Sequence, residues 1–317
     1  MFLQIILLLT GLGLIVFGAD ALVEGASSVA RRLGLSEFVI GLTIVGMGTS
    51  APEMVVSFIG ALKGNADIAI GNVTGSNIMN TLLILGVTAL ILPIAATPSN
   101  RKRDIPMNVL ITVLLIVLGF KKTFFGLGSN GLSRWEGGIL LAVFVGYMVL
   151  CFLTGKPQEE EAPAKRRNIW LALLMIAGGL AGLIFGGNLF VDNATLLAKR
   201  LGWSDKFIAI TILAGGTSMP ELATCVVAAV KKKGQLALGN IIGSNVFNIL
   251  LILGGSALIH PLSFDGMNFV DLGVLLVSAL SLFSAMYVGR RNKIDRLDGG
   301  LFLTIWAAYM AYLIINL

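Results

Sequence analysis

Charge is scarce in this chain: only 13% of its 317 residues are Asp, Glu, Lys or Arg, about half the roughly 25% of average soluble domains. That deficit argues against a globular cytosolic enzyme. There is a single histidine, His260, which beside Pro261 reads as a loop residue. The two cysteines, Cys151 and Cys225, both fall in apolar stretches. A disulfide framework or a paired-cysteine metal site therefore lacks its raw material. Apolar residues make up 56% of the chain and the mean hydropathy is +0.91.

Roughly 20 apolar residues are needed per bilayer crossing. The opening run Phe2 to Phe17 has no basic leader and continues into Gly18-Ala19-Asp20 without a small-residue cleavage site, so it reads as a membrane helix and not as a signal peptide. Further spans are expected near 37–62, 68–92, 105–120, 134–153, 169–197, 206–230, 235–259, 268–288 and 298–316, with the first over 2–29. Ten spans use up the chain and leave no soluble domain. The expected organisation is a five-helix half over 1–153, a cytoplasmic linker over 154–168 and a second five-helix half over 169–317. Within the linker, Glu159-Glu160-Glu161 reads as a solvated face.

Basic residues divide unevenly between alternate loops. One set holds Arg31 and Arg32, Arg101 to Arg103, Lys156 and Lys165 to Arg167, Lys231 to Lys233, and Arg290, Arg291, Lys293 and Arg296. The other has Lys63, Lys121, Lys122, Arg134, Lys199, Arg200 and Lys206. The first set outnumbers the second more than twofold, which places it in the cytoplasm and both termini outside. Lys199-Arg200 runs against that bias. The net charge of +6 is matched by anionic cytoplasmic lipid, and neither nucleic acid nor an obligate protein partner is called for.

An internal repeat aligns Phe17–Pro93 with Phe185–Pro261 at an offset of 168 residues; Gly71–Gly86 and Gly239–Gly254 agree at 11 of 16 positions. Five spans per half is an odd number, so the copies enter the membrane from opposite sides. Inverted repeats interrupted at matching places are the sequence sign of a secondary transporter with a site at mid-membrane. The expected fold is thus an all-α membrane protein of ten helices in two inverted five-helix repeats, with helices 2, 3, 7 and 8 broken.

The second span contains Gly48-Thr49-Ser50-Ala51-Pro52-Glu53 and the seventh repeats it as Gly216-Thr217-Ser218-Met219-Pro220-Glu221. Proline has no amide hydrogen, so Pro52 and Pro220 deprive the Gly48 and Gly216 carbonyls of their helical partners. A carboxylate at mid-bilayer costs at least about 2.5–3.5 kcal/mol, and it occurs twice in equivalent places. No Lys or Arg lies inside the core segments, so the counter-charge must come from solution. Thr49 and Ser50, four and three residues before Glu53, are expected on its helix face. The third and eighth spans add Asn72, Ser76 and Asn80, and Asn240, Ser244 and Asn248, at steps of four. Asn72, Asn77, Asn240 and Asn245 read as packing amides, and Gly71, Gly75, Gly239 and Gly243 as sites of close helix approach. All the grouped donors are hard oxygens, which suits Ca²⁺ and also Na⁺.

These paired segments closely resemble the alpha-repeats of the calcium/cation antiporter superfamily, the sodium/calcium exchangers and their prokaryotic relatives. The resemblance implies Ca²⁺ coordination by Glu53, Glu221 and the Thr49 and Thr217 carbonyls. It implies Na⁺ contacts from Ser50, Ser76, Ser218, Ser244 and the carbonyls near Gly46 and Ala214, with Asn80 and Asn248 in the same cluster. It also implies that the first and sixth helices slide to alternate access, with Asp20, Glu24, Asn188 and Asp192 facing cation vestibules or the membrane surface. Family members often carry Asp in place of Asn80 or Asn248; Asn at both argues against K⁺ co-transport. It also leaves Glu53 and Glu221 as the titratable centres, so Na⁺ and H⁺ both stay open as the exchanged ion, with no cofactor beyond the transported ions. An intramembrane enzyme lacks a Ser–His or metal–His set here. A passive channel stays compatible with inverted, interrupted halves.

Overall fold

The computed structural model describes residues 2–155, 168–203, 208, 214–287 and 292–316. The charged linker, the Glu159–Glu161 run and most of the first half of the seventh expected span lie outside them. The longer helices among the described residues are α1 (Phe2–Leu33), α2 (Glu37–Thr49), α3 (Ala51–Leu62), α4 (Ala66–Ile91), α5 (Ile105–Gly119), α6 (Arg134–Thr154), α7 (Ile169–Arg200), α8 (Met219–Val230), α9 (Gly234–Ile259), α10 (Phe269–Ala285) and α11 (Arg296–Ile315). Six of these are long and apolar enough to cross a membrane, seven if the bent α2–α3 pair is one span. This is a helical, multi-pass membrane protein. α8 and α10 are shorter apolar helices, and α5 is lengthened by a π-helical turn at Asn100–Asp104.

Local chemistry sets the ends. Ser36, Asn65, Asn168 and Asn268 accept backbone N–H bonds at the starts of α2, α4, α7 and α10. Ser133 and Glu136 form a capping box on α6. α4 and α9 stop in the same way in both repeats: Leu92 and His260 turn extended directly before Pro93 and Pro261, the residue before a proline being excluded from the helical region.

α9 and α4 form the centre. Of their most apolar stretches, 94% and 67% is buried, against 11% in α11 and 22% in α1 and α6. The central helices carry the Asn and Ser residues, whereas the outer ones expose Leu, Phe and Val. α1 and α7 pack along their length as an antiparallel pair. A Cβ on Gly11, Gly18 or Gly25 would lie 2.8 Å from the carbonyl oxygen of Gly186, Gly179 or Ala172 respectively. The partner numbers fall as the α1 numbers rise, and glycine at every seventh position lets the two backbones touch.

The loops sort into two ends. On one, Ser36 N–H donates to the Gly155 carbonyl, Ala96 N–H to that of Asn292, Arg103 bonds Thr154, and Arg101 bonds Asn292. The ribbon β1 (Ile94–Ala95) to β4 (Lys293–Ile294) closes the same end. On the other, β2 (Gly131–Leu132) pairs with β3 (Leu262–Ser263), and Arg134 donates to the Leu258 carbonyl. The loops near residues 36, 94–103, 155 and 292–294 thus meet at one end, and those near 131–134 and 258–263 at the other.

One expectation needs correction. Helices 3 and 8 are not broken: α4 and α9 run unbroken, each widened by a π-helical stretch, Met79–Ile84 and Phe247–Leu253. Neither contains an internal proline, so the extra residue is absorbed as a bulge. The glycine pairs also differ in their surroundings. Gly239 and Gly243 lie against the backbone of Phe38 and Leu42, but a Cβ on Gly71 or Gly75 would meet nothing within 4 Å among the described residues; their counterparts at 206 and 210 lie outside these.

Candidate functional site

The site lies where α2 gives way to α3. The two helices bend by 51°, and Pro52 in the first turn of α3 offers no N–H to the Gly48 carbonyl. Ser50 occupies the joint with φ −82°, ψ 8°. Ser218 has nearly the same values, φ −90°, ψ 7°, in front of Pro220 and α8. Both joints thus place a glutamate, Glu53 or Glu221, in the first turn of a helix, where the N-terminal dipole favours a negative charge. Each glutamate is only 1% exposed.

The hydroxyls cross between repeats. Ser50 donates to Glu221 Oε1 at 3.0 Å and Ser218 donates to Glu53 Oε1 at 3.3 Å. Helical spacing alone puts Ser50 on the face of its own Glu53; the bend at residue 50 breaks that register and turns the hydroxyl to the opposite carboxylate. Ser76 of α4 adds a bond to Glu53 Oε1 at 3.3 Å, and Ser244 of α9 one to Glu221 Oε1 at 3.5 Å. The Thr217 hydroxyl also approaches Glu53. The Thr49 hydroxyl donates back to the Val45 carbonyl and lies 3.1 Å from Asn240 Oδ1.

A second crossing involves amides. Asn80 Nδ2 donates to Asn245 Oδ1 at 3.2 Å, and Asn248 Nδ2 donates to Asn77 Oδ1 at 2.8 Å. These bonds hold the amide nitrogens away and leave the Asn80 and Asn248 carbonyl oxygens without a donor. Glu53 Oε2 and Glu221 Oε2 are equally unpartnered. Four buried oxygens in two equivalent pairs therefore have an unmet need for positive charge. No Lys or Arg makes an ion pair with either glutamate among the described residues, nor do these hold any cluster of three or more His, Cys, Asp and Glu. A hard oxygen set of this kind can hold Ca²⁺, which takes 6–8 oxygen ligands, or Na⁺.

The structure thus links Glu53 and Glu221 to Ser50, Ser218, Ser76 and Ser244, with Thr217 beside Glu53 and Thr49 on Asn240; Asn80 and Asn248 follow one turn after Ser76 and Ser244 on α4 and α9 and bond Asn245 and Asn77. The packing amides take the positions expected of them: Asn72 donates to the Glu53 carbonyl and to Ser57, and Asn240 to Cys225. What spacing alone could not reveal is that Asn77 and Asn245 orient Asn80 and Asn248; their identity at the 168-residue offset was the available signal.

A cavity of about 180 Å³ approaches the bends from one end. It is lined by Pro52, Thr217 and Pro220 and, on α7, by Asn188 and Asp192. On α1 the equivalent acids are engaged instead: Asp20 and Glu24 pair with Lys231 at 2.7 and 3.0 Å, and Glu24 with Lys233 at 3.3 Å.

Known proteins agree with this architecture. The chain is 35% identical over 329 residues to the inner membrane protein YrbG of Escherichia coli, covering 99% of this chain and 98% of that one. It is 32% identical over 342 residues to the sodium/calcium exchanger MaX1 of Methanosarcina acetivorans, with 97% of each covered. Its structure superposes on that of the sodium-calcium exchanger NCX_Mj with a TM-score of 0.84, at 34% identity and over 98% of both chains. The sequence profile of the sodium/calcium exchanger protein family matches residues 3–153 and 171–315, and the chain belongs to that family, the prokaryotic branch of the calcium/cation antiporters.

Proposed function

We propose that this protein exchanges Ca²⁺ for Na⁺ across the cytoplasmic membrane, with Glu53 and Glu221 shared by the two ions in turn. The observation that carries this reading is the set of four buried, unpartnered oxygens on Glu53, Glu221, Asn80 and Asn248. Two carboxylates neutralise one Ca²⁺. When it leaves, they must be neutralised again, and Na⁺ bound with help from Ser50, Ser76, Ser218 and Ser244 does this. Thr49 and Thr217 contribute their carbonyls beside the bends. Because occupancy by one ion excludes the other, release of one is coupled to uptake of the other.

Ten spans in two inverted five-helix repeats suit this chemistry. The antiparallel α1–α7 seam, the matched joints at Ser50 and Ser218 and the two groups of loops support that arrangement. It gives the site two equivalent approaches, one per repeat. The basic loop end faces the cytoplasm in this reading and both termini face outward; the likeness to an inner membrane protein of Escherichia coli supports the same membrane.

Uptake of ⁴⁵Ca²⁺ into proteoliposomes tests the proposal. An imposed outward Na⁺ gradient is expected to drive uptake and an imposed pH gradient is not. Glu221→Gln and Glu53→Gln are expected to abolish it in protein that still purifies as a folded species. Uptake driven by the pH gradient alone would make the same two glutamates those of a Ca²⁺/H⁺ antiporter. Flux that persists without any counter-ion gradient would make the protein a channel.

A further inference from the structure

Away from the ion site, a cavity of about 570 Å³ lies between α5 and α6 at the basic loop end. Its walls are apolar, with Met107, Leu110, Val143 and Leu150 beside Gly146, and Lys102 and Arg103 line it as well. The volume falls within the about 300–1,000 Å³ of small-molecule sites. An apolar groove open to the bilayer and headed by cations fits an amphiphile with an anionic head.

The charge balance at this mouth is positive. Asp104 is fully buried and takes Arg103 Nε at 2.7 Å, the Tyr147 hydroxyl at 2.8 Å and the Asn100 amide at 3.3 Å. It therefore offsets one cation. Arg101 has neutral neighbours, bonding Asn292 and lying over the Tyr287 ring at 5.7 Å. Lys102 is exposed and has no acidic partner among the described residues.

The second repeat separates the structural part of this arrangement from the rest. There Tyr309 donates to Asp271 at 2.8 Å, so the bond that joins α5 to α6 also joins α10 to α11. The residues ahead of Asp271 are Asn268, Phe269 and Val270, all uncharged, where the first repeat has Arg101, Lys102 and Arg103. The tyrosine–aspartate bond is common to both halves, whereas the cations are confined to one copy, at the end where the basic loops gather.

We propose that the α5–α6 groove is a binding site for an anionic phospholipid. Its phosphate meets Lys102 and Arg103, and one acyl chain lies along Met107, Leu110, Val143 and Leu150. Basic pockets between membrane helices on the cytoplasmic side take such head groups by this chemistry. The inference goes beyond ion exchange and requires only that the chain sit in a bilayer.

Native mass spectrometry of the purified full-length protein, incubated with equal amounts of phosphatidylglycerol and phosphatidylcholine of the same acyl chains, tests this. The unmodified protein is expected to retain the anionic lipid at least about fivefold over the neutral one. Lys102→Gln is expected to bring the two close to parity. Gly146→Leu is expected to lower retention of both, because a Cβ at Gly146 meets nothing within 4 Å and the longer side chain fills the groove. Equal retention of the two lipids by the unmodified protein, or a preference that Lys102→Gln leaves intact, would overturn the proposal. Lys102 is a surface residue whose replacement leaves the fold alone, so Lys102→Gln decides the question even if Gly146→Leu does not fold.

Discussion

At the scale of single residues, orientation matters as much as identity. Asn80 and Asn248 can present oxygen to a cation only while their nitrogens are held elsewhere, and Asn245 and Asn77 hold them. Asn245→Ala would leave the Asn80 amide free to turn, and it would strip Thr81 of the 2.9 Å bond that Asn245 Nδ2 donates to it. An unpaired buried polar group costs about 1–3 kcal/mol, so the half-saturating Ca²⁺ concentration for ⁴⁵Ca²⁺ uptake is expected to rise about tenfold in a protein that still folds. An unchanged value would show that Asn245 merely packs. The doubled glutamates and the oxygen-rich stripes were legible in the sequence because an acid inside an apolar run stands out and the repeat shows it twice. The crossing of Ser50 to Glu221 was not, because it depends on a bend that breaks the helical register from which faces are read.

At the scale of helices, the two ends of the molecule differ. Lys231 and Lys233 tie α1, through Asp20 and Glu24, to the turn between α8 and α9. The equivalent positions at the other end are Asn188 and Asp192 on α7 with Lys63 and Asn65, and Lys63 and Asp192 form no ion pair among the described residues. The cavity beside Asn188 and Asp192 reaches the bends, whereas the α1 end is held by its paired lysines. Exposed ion pairs are worth about 0–1 kcal/mol each, and Lys231→Ala removes two. The balance between the access states is then expected to move by about fivefold toward opening at the α1 end. The readout is the rate at which a water-soluble maleimide labels Asn188→Cys in the open cavity: Lys231→Ala is expected to slow it, and an unaltered rate would show that the lysines latch nothing. Hydropathy located the helices, and proline located the α2–α3 bend. It could not foresee the π-helical stretches, since Asn72 and Ser76 precede the widened turn and only Asn80 falls within it, so their steps of four carry no sign of the added residue. Nor could it choose α7 as the partner of α1. Gly11, Gly18 and Gly25 recur every seventh residue in the sequence, but a seam of glycine says only that something lies close, not which helix.

At the scale of the whole molecule, the two groups of loops convert charge counting into a test of orientation. Arg101 to Arg103, Lys231 to Lys233 and Lys293 sit at the end where β1 meets β4, whereas the end closed by β2 and β3 has fewer cations. Lys199 and Arg200 close α7 at that second end, against the bias, but one pair does not outweigh several clusters under a rule that counts all short loops. Ser99 and Ser129 are both exposed, one at each end, and the two native cysteines are buried, so a single introduced cysteine reports alone. In intact cells a membrane-impermeant maleimide is expected to label Ser129→Cys and to spare Ser99→Cys until the membrane is opened. The reverse pattern would turn the molecule over. It would also move the Lys102–Arg103 groove to the outer leaflet and set the open cavity beside Asp192 toward the cytoplasm, so one labelling experiment decides which ion pool the structure faces.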